Sequence, residues 1–346
     1  MRQYKSDIAS LKLRSTDVRL KAAGVIGMTL DSYMARTKEK SIEVDHVFID
    51  EAGYASLVKV LPVLISNTPI TLLGDHKQLP PVCEMGRDEI LKFEDNNSAF
   101  VWDSSAVECE SIWQAASVDS AVENYRQQMP PSFNHLKRRA LTTSYRFGKK
   151  LAAVLHEHVY SEEGFYSGLS NDTQISIFNV NNHAHLGEHD IGRRANMAEA
   201  MCVIKIIDSG VIESGLSMSE NGQSDYCDGD FAVLTPYRDQ VALITKLKPE
   251  LAEQDRVLTV HKSQGREWHT VIYNVCDIGN GAHPWFTDST NDMSGGLSNV
   301  NTAVSRAKKH LIIVCDSNAW QAKSAQLIGG LIQARTKRYQ YQETSV

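Results

Sequence analysis

The segment Val47 to Gly53 reads VFIDEAG, an apolar run that delivers two adjacent carboxylates, Asp50 and Glu51, at its end. If the run is a strand, the pair sits at its carboxyl end, the edge of an open α/β sheet where ligands bind. Adjacent Asp and Glu can there divide the work of nucleotide hydrolysis. One holds Mg2+ through its water shell, and the other orients or deprotonates the attacking water. Taken alone, a strand ending in Asp-Glu reads first as a solvated loop. A second apolar run, ITLLGDHKQLPP from Ile70, crowds Asp75, Lys77 and Gln78 into one loop after Gly74, and Pro80 and Pro81 stiffen the chain beyond it. Two strands of one kind, each ending in polar donors and acceptors, are harder to dismiss.

Three later segments carry positive charge. KRRALTTSYRFGKK, Lys137 to Lys150, has six basic residues and no acid. It reads as a solvated basic face, as a phosphate-backbone contact, or as a means of aiming Arg146 at a nucleotide. RVLTVHKSQGREWHTVI, Arg256 to Ile272, places Thr259, His261, Lys262, Ser263 and Gln264 between two strand candidates, with Gly265 at the bend. NVNTAVSRAKKHLIIV, Asn299 to Val314, puts Arg306 near the end of a helix that leads straight into a strand. An arginine held on rigid elements can neutralise charge on a transferring phosphoryl group.

These residues need elements to hold them. Strand candidates are Val44 to Ile49, Ile70 to Leu73, Ile175 to Val180, Phe231 to Leu234, Arg256 to Val260, Thr270 to Val275 and Leu311 to Val314. Most are continuous apolar runs, the pattern of parallel strands buried on both faces. Helical patterns are expected over Ala55 to Ile65, Ala195 to Asp208, Asp239 to Leu247, Val300 to Lys308 and Ala319 to Gln333. Such alternation argues for doubly wound α/β layers. Two stretches interrupt it. Glu84 to Met129 opens with an acidic run and reads as a connector, in which Ser111 to Pro131 has no assigned role; Ser209 to Asp230 is acidic, Gly- and Ser-rich, and reads as a surface loop.

Length and composition narrow the function classes. The 346 residues suggest about two domains. Thirty-six Lys and Arg against 42 Asp and Glu leave a formal charge of -6, which excludes binding of nucleic acid by bulk charge but not a local basic groove. The six cysteines form no C-x-x-C pair, so zinc-knuckle and thioredoxin-type motifs are not supported, and a reducing compartment is expected. The charged N-terminus has no signal-peptide core and the apolar runs are too short to span a bilayer, so the expectation is a cytoplasmic chain without a membrane partner. His156, His158, His183, His185 and His189 lack metal-site spacing and read as structural.

Taken in order, the segments resemble motifs II to VI of superfamily 1 helicases, most closely the branch of RNA-surveillance and DNA-replication helicases with a DEA-type motif II. VIGMTLDSY, Val25 to Tyr33, resembles motif Ic, and VLTPYRDQVALI, Val233 to Ile244, the T-P-Y-x-x-Q segment of that branch. The resemblance implies an α/β protein of two RecA-like domains of P-loop-NTPase type with parallel sheets. The first would span 1–105 and be N-terminally truncated, 106–137 would be a connector or insertion, and 138–346 would form a whole second domain. It implies that Asp50 binds Mg2+ through water and that Glu51 is the general base. Gln78 would sense the γ-phosphate, with Arg146 and Arg306 as arginine fingers. Asp75, Tyr145, Gly265 and Glu267 would line the ATP cleft. Thr29, Thr235, Tyr237, Thr259 and His261 would contact a single strand, with stacking offered by Tyr237 or Trp268. For Trp268 a partly buried strand residue is an equal reading. DNA against RNA stays open.

The family opens with G-x-x-x-x-G-K-[ST], whose N–H groups and lysine cradle the phosphates. The one Gly-Lys pair, Gly148-Lys149, is followed by Lys150 and preceded at the fifth position by Thr143, so neither flank matches. The expectation is a helicase or translocase, or its C-terminal portion, that hydrolyses ATP poorly by itself. The alternatives are a non-catalytic single-strand-binding remnant and one half of a split helicase whose partner chain supplies the phosphate loop.

Overall fold

A computed structural model describes residues 18, 20, 22–37, 43–64, 68–82, 105–106, 139–180, 194–209, 230–277, 286–291 and 295–341. The expected connector, except Ser105 and Ala106, lies outside the described residues, as do most of the acidic loop after 209 and His183, His185 and His189.

Two parallel sheets carry the candidate residues. The smaller pairs β1 (Val47–Ile49) with β2 (Ile70–Leu72), in register Val47 to Ile70 and Ile49 to Leu72. Helices α1 (Leu30–Thr37) and α2 (Leu57–Leu64) accompany it. A small core of Ile49, Ala52, Leu57, Val60, Val63, Leu64 and Ala106 holds this unit together.

The larger unit begins with a short parallel pair, β3 (Thr143–Ser144) and β4 (Tyr166–Ser167), that brackets helix α3 (Lys149–His158). Its main sheet contains β5 (Gln174–Asn179), β6 (Phe231–Thr235), β7 (Val257–Thr259), β8 (Trp268–Asn274), β9 (Ala307–Cys315) and β10 (Lys337–Gln340). These six lie in the order β10-β5-β9-β8-β6-β7, and every pairing is parallel. Helices α4 (Met197–Asp208), α5 (Arg238–Leu247), the short α6 (Glu250–Glu253), α7 (Gly296–Val304), α8 (Ser317–Gln321) and α9 (Leu327–Gln333) connect them.

The continuous apolar runs divide by the two-residue period of a strand. On β9, Leu311, Ile313 and Cys315 enter one core while Ile312 and Val314 enter the other. β6 splits likewise into Ala232 and Leu234 against Phe231 and Val233. The first core also takes in α3, α7 and α9, and the second takes in α4 and α5. Burying both faces is what makes these strands apolar throughout.

The helix expected over Val300 to Lys308 lies earlier, at Gly296–Val304, because Ala307 onward pairs with Trp268 onward as strand. The helix expected over Ala319 to Gln333 is broken between Gln321 and Leu327, where the Gln326 side chain takes the Ser289 N–H and donates to Asp288. Among the described residues no helix is long and apolar enough to cross a membrane.

Candidate nucleotide-responsive site

The carboxyl edge of the small sheet meets the amino edge of the large one. Leaving β1, Asp50 accepts the Glu51 N–H at 2.9 Å, and Glu51 takes φ 51, the left-handed region. A non-glycine residue held there costs about 1–3 kcal/mol, a strain found where function fixes a side chain. Gly53 then packs on the β2 loop so closely that a Cβ would lie 2.5 Å from the Asp75 carbonyl oxygen. The two loops are thereby set side by side.

Asp75 is the hub of its loop. Its Oδ1 accepts the Lys77 N–H at 2.9 Å, and its Oδ2 accepts Gln78 Nε2 at 2.9 Å. Gln78 then turns its Oε1 to accept Arg306 Nη2 at 2.6 Å, across 228 positions of sequence. Arg306 stands just before β9, is 2% exposed, and donates Nη1 to the Arg266 carbonyl at 3.4 Å. Burial pushes its pKa down from the ordinary arginine value, with Arg146 adding to this and Glu51 and Asp75 opposing it. Its Nε has no hydrogen-bond partner among the described residues. A buried guanidinium with an unused donor is suited to receive an anion.

Arg146, between β3 and α3, donates Nε to Glu267 at 2.8 Å and Nη1 to the Ser305 carbonyl at 3.3 Å. Glu267 also takes Lys308 Nζ at 2.5 Å, and that bond, ahead of the Arg146 charge, lowers its pKa. Asp75, Gln78, Arg146, Glu267 and Arg306 thus form one region, with Asp50 and Glu51 beside it. Tyr145 is exposed, its ring over Gly168, and Gly265 is an exposed bend at φ 70.

The single-strand candidates lie elsewhere. Thr29 is exposed and its Oγ1 accepts the Ser32 N–H at 3.2 Å, capping α1. Thr235 and Thr259 end β6 and β7, and His261 follows β7, all at the carboxyl edge of the large sheet. Burial, with the Arg238 charge, lowers the His261 pKa. Thr235 is fully buried, and Tyr237 is nearly so, its hydroxyl donating to Asp277 at 2.7 Å under the Arg194 guanidinium. Burial, then Asp277, raises the Tyr237 pKa. The reading of Tyr237 as a stacking platform is not favoured by this placement. Trp268 is likewise a buried β8 residue, with Arg266 over its ring. His156 meets the Tyr160 carbonyl and His158 packs on Gly330.

Residues that sequence reasoning missed complete the site. Tyr160, after α3, donates its hydroxyl to Asp75 Oδ2 at 2.5 Å, and burial followed by the Asp75 charge raises its pKa. Asn301 of α7 donates to that hydroxyl and to the Lys77 carbonyl, each at 2.8 Å. Thr302 Oγ1 accepts the Leu79 N–H at 3.1 Å. Asn301 and Thr302 lie inside the segment that carries Arg306 but have no chemistry of their own to mark them, and nothing local in sequence marks Tyr160.

Parallel sheets, carboxylates leaving one and arginines entering the other place the molecule in the α/β class. Family models described as AAA domain match residues 120–318 and 1–84. The chain belongs to the AAA domain family, among the superfamily 1 helicases that its motifs resemble. It is 24% identical over 323 residues to the DNA polymerase alpha-associated DNA helicase A of Schizosaccharomyces pombe, covering 92% of this chain and 44% of that protein. It is 25% identical over 288 residues to the DNA replication ATP-dependent helicase/nuclease DNA2 of Mus musculus, covering 78% of this chain and 24% of that protein. The chain therefore spans less than half the length of either relative. The arterivirus nonstructural protein 10 helicase, solved in complex with DNA, matches with a TM-score of 0.39 and 14% identity over 84% of this chain and 43% of that one.

Proposed function

We propose that the chain is the strand-engaging, nucleotide-responsive part of an ATP-dependent nucleic-acid helicase or translocase. Its two lobes are residues 1–105 and 138–346. The observation that carries the reading is Gln78, held between the Asp75 carboxylate and the Arg306 guanidinium. An amide between opposite charges on two sheets must respond when an anion takes up the arginine. Asp50 and Glu51 suit Mg2+ and the attacking water, Arg146 and Arg306 the developing phosphoryl charge, and Tyr145, Gly265 and Glu267 the walls of an ATP cleft. Thr29, Thr259 and His261 suit a single strand of DNA or RNA.

No G-x-x-x-x-G-K-[ST] loop occurs in the sequence. By itself the chain then hydrolyses ATP weakly, since its sequence does not supply the loop that cradles the β- and γ-phosphates in this class of enzyme. A separate chain carrying that loop would restore turnover. The test measures ATP hydrolysis with and without single-stranded DNA or RNA, alongside single-strand affinity from low to high salt. Robust stimulated hydrolysis by the 346-residue chain overturns the weak-ATPase statement. Absence of single-strand binding at low salt overturns the nucleic-acid reading.

A further inference from the structure

We infer that Tyr160 and Asn301 are positioning residues that fix which way Gln78 faces, and so hold the Asp75–Gln78–Arg306 connection in register between the two sheets. The inference rests on the functional reading above for its purpose, but its geometry stands independently. An amide nitrogen can only donate, so Asn301 Nδ2 must donate to the Tyr160 oxygen at 2.8 Å. Its other proton goes to the Lys77 carbonyl, also at 2.8 Å. Tyr160 has one proton, and with its oxygen already accepting, that proton must go to Asp75 Oδ2 at 2.5 Å. The same Oδ2 accepts Gln78 Nε2, which leaves Oε1 toward Arg306. A reversed Gln78 would set oxygen against carboxylate and nitrogen against guanidinium, two like-for-like contacts.

Every bond in this chain therefore has a forced direction. It runs from α7 through the end of α3 to the β2 loop and back to the start of β9. Of these side chains, Tyr160 is the one that bonds both to Asp75 and to Asn301 of α7. Within a buried network each bond supports the next, so loss of one donor is felt at the far end. Tyr160 thus joins the Asp75 carboxylate itself to the large lobe, beside the Asn301 and Thr302 bonds to the Lys77 and Leu79 main chain.

The test uses the whole chain without nucleotide. Tyr160→Phe keeps the ring and removes the hydroxyl, and Asn301→Ala reaches the same bond from the other side. Two readouts are followed: backbone exchange at Lys77 and Leu79, and the Gln78 side-chain amide resonance, assigned by its loss in Gln78→Ala. Both variants are expected to raise Lys77 and Leu79 exchange by about fivefold or more, the loss of one ordinary hydrogen bond. They are also expected to shift the Gln78 resonance, and because Asn301→Ala removes the Lys77 carbonyl bond as well, the double variant should do no more than Asn301→Ala alone. A purely structural role would loosen the neighbourhood of α3 while leaving the Gln78 resonance in place. That outcome, or additive effects, overturns the inference. If the wild-type chain ignores single strands at low salt, the functional reading falls while these measurements still decide on Tyr160.

Discussion

At the residue scale, two of the ionisable groups buried among the described residues, Arg306 and Glu199, carry measurable consequences. Arg306 is buried, its charge met by a neutral amide and a carbonyl, with Nε unused among the described residues. Removing it leaves the Gln78 Oε1 and the Arg266 carbonyl without their donor, and a buried acceptor left unpaired costs about 1–3 kcal/mol. Arg306→Met is therefore expected to lower stability in urea by about 1–3 kcal/mol, while losing any response to nucleotide. A loss of more than about 3 kcal/mol would show that Arg306 is structural cement. Glu199 is the second group. Burial pushes its carboxyl up to about 8, against the Cys276 N–H and the Asn274 amide that favour its charged form. The folded chain then keeps a proton that the unfolded chain, near 4.5, releases. Its contribution to stability is full below about 4.5 and is lost as pH rises to about 8. Glu199→Gln should remove that decline, on the order of a few kcal/mol, from urea midpoints taken across this range. Parallel pH profiles for the two proteins would sink the assignment.

At the element scale, function depends on how closely loops are set. Gly53 lets the loop after β1 lie on the backbone of Asp75. Gly53→Ala must push against main chain, not the end of a flexible side chain, so a cost of about 1–3 kcal/mol is expected from denaturant unfolding. Wild-type stability in this variant would mean that the loops part freely. The same scale explains what sequence could reveal. The strands β6, β8 and β9 were legible because two-sided burial demands nearly unbroken apolar runs, and β5, reading QISIFN, by its closely spaced Ile175, Ile177 and Phe178. β10, reading KRYQ, was not, since it only borders β5 at the sheet edge. The helix expected through Lys308 fails because TAVSRAKK has helical spacing, while pairing with β8 claims Ala307 onward. In the site, carboxylates and arginines announced themselves by type and order. Tyr160 and Asn301 did not: their partners lie 85 and 224 residues away, and no local pattern encodes such a contact.

At the scale of the whole molecule, a charge of -6 must coexist with any grip on a polyanion. Parallel strands separate the two tasks. Arg306 and Glu267 precede β9 and β8, whereas Arg238, His261 and Lys262 follow β6 and β7 at the opposite edge. Arg238 and Lys262 are exposed, and His261 between them is held toward its neutral form by burial and by Arg238. If a single strand lies along this edge, each phosphate neutralised releases counterion, with a slope of about -0.7 in log affinity against log salt. Arg238→Ala and Lys262→Ala should then each flatten that slope by about 0.7. Lys246→Ala, exposed on α5, serves as the control and should leave it unchanged. Because the edges are separate, Arg306→Met should leave the slope intact, and its effect should add to that of Lys262→Ala. Fluorescence anisotropy on a labelled single strand at a series of salt concentrations measures all four variants. Equal slopes for wild type and Lys262→Ala would move the strand off this edge. A slope altered by Arg306→Met would instead place phosphate at the arginine entrance, and the two edges would be one site.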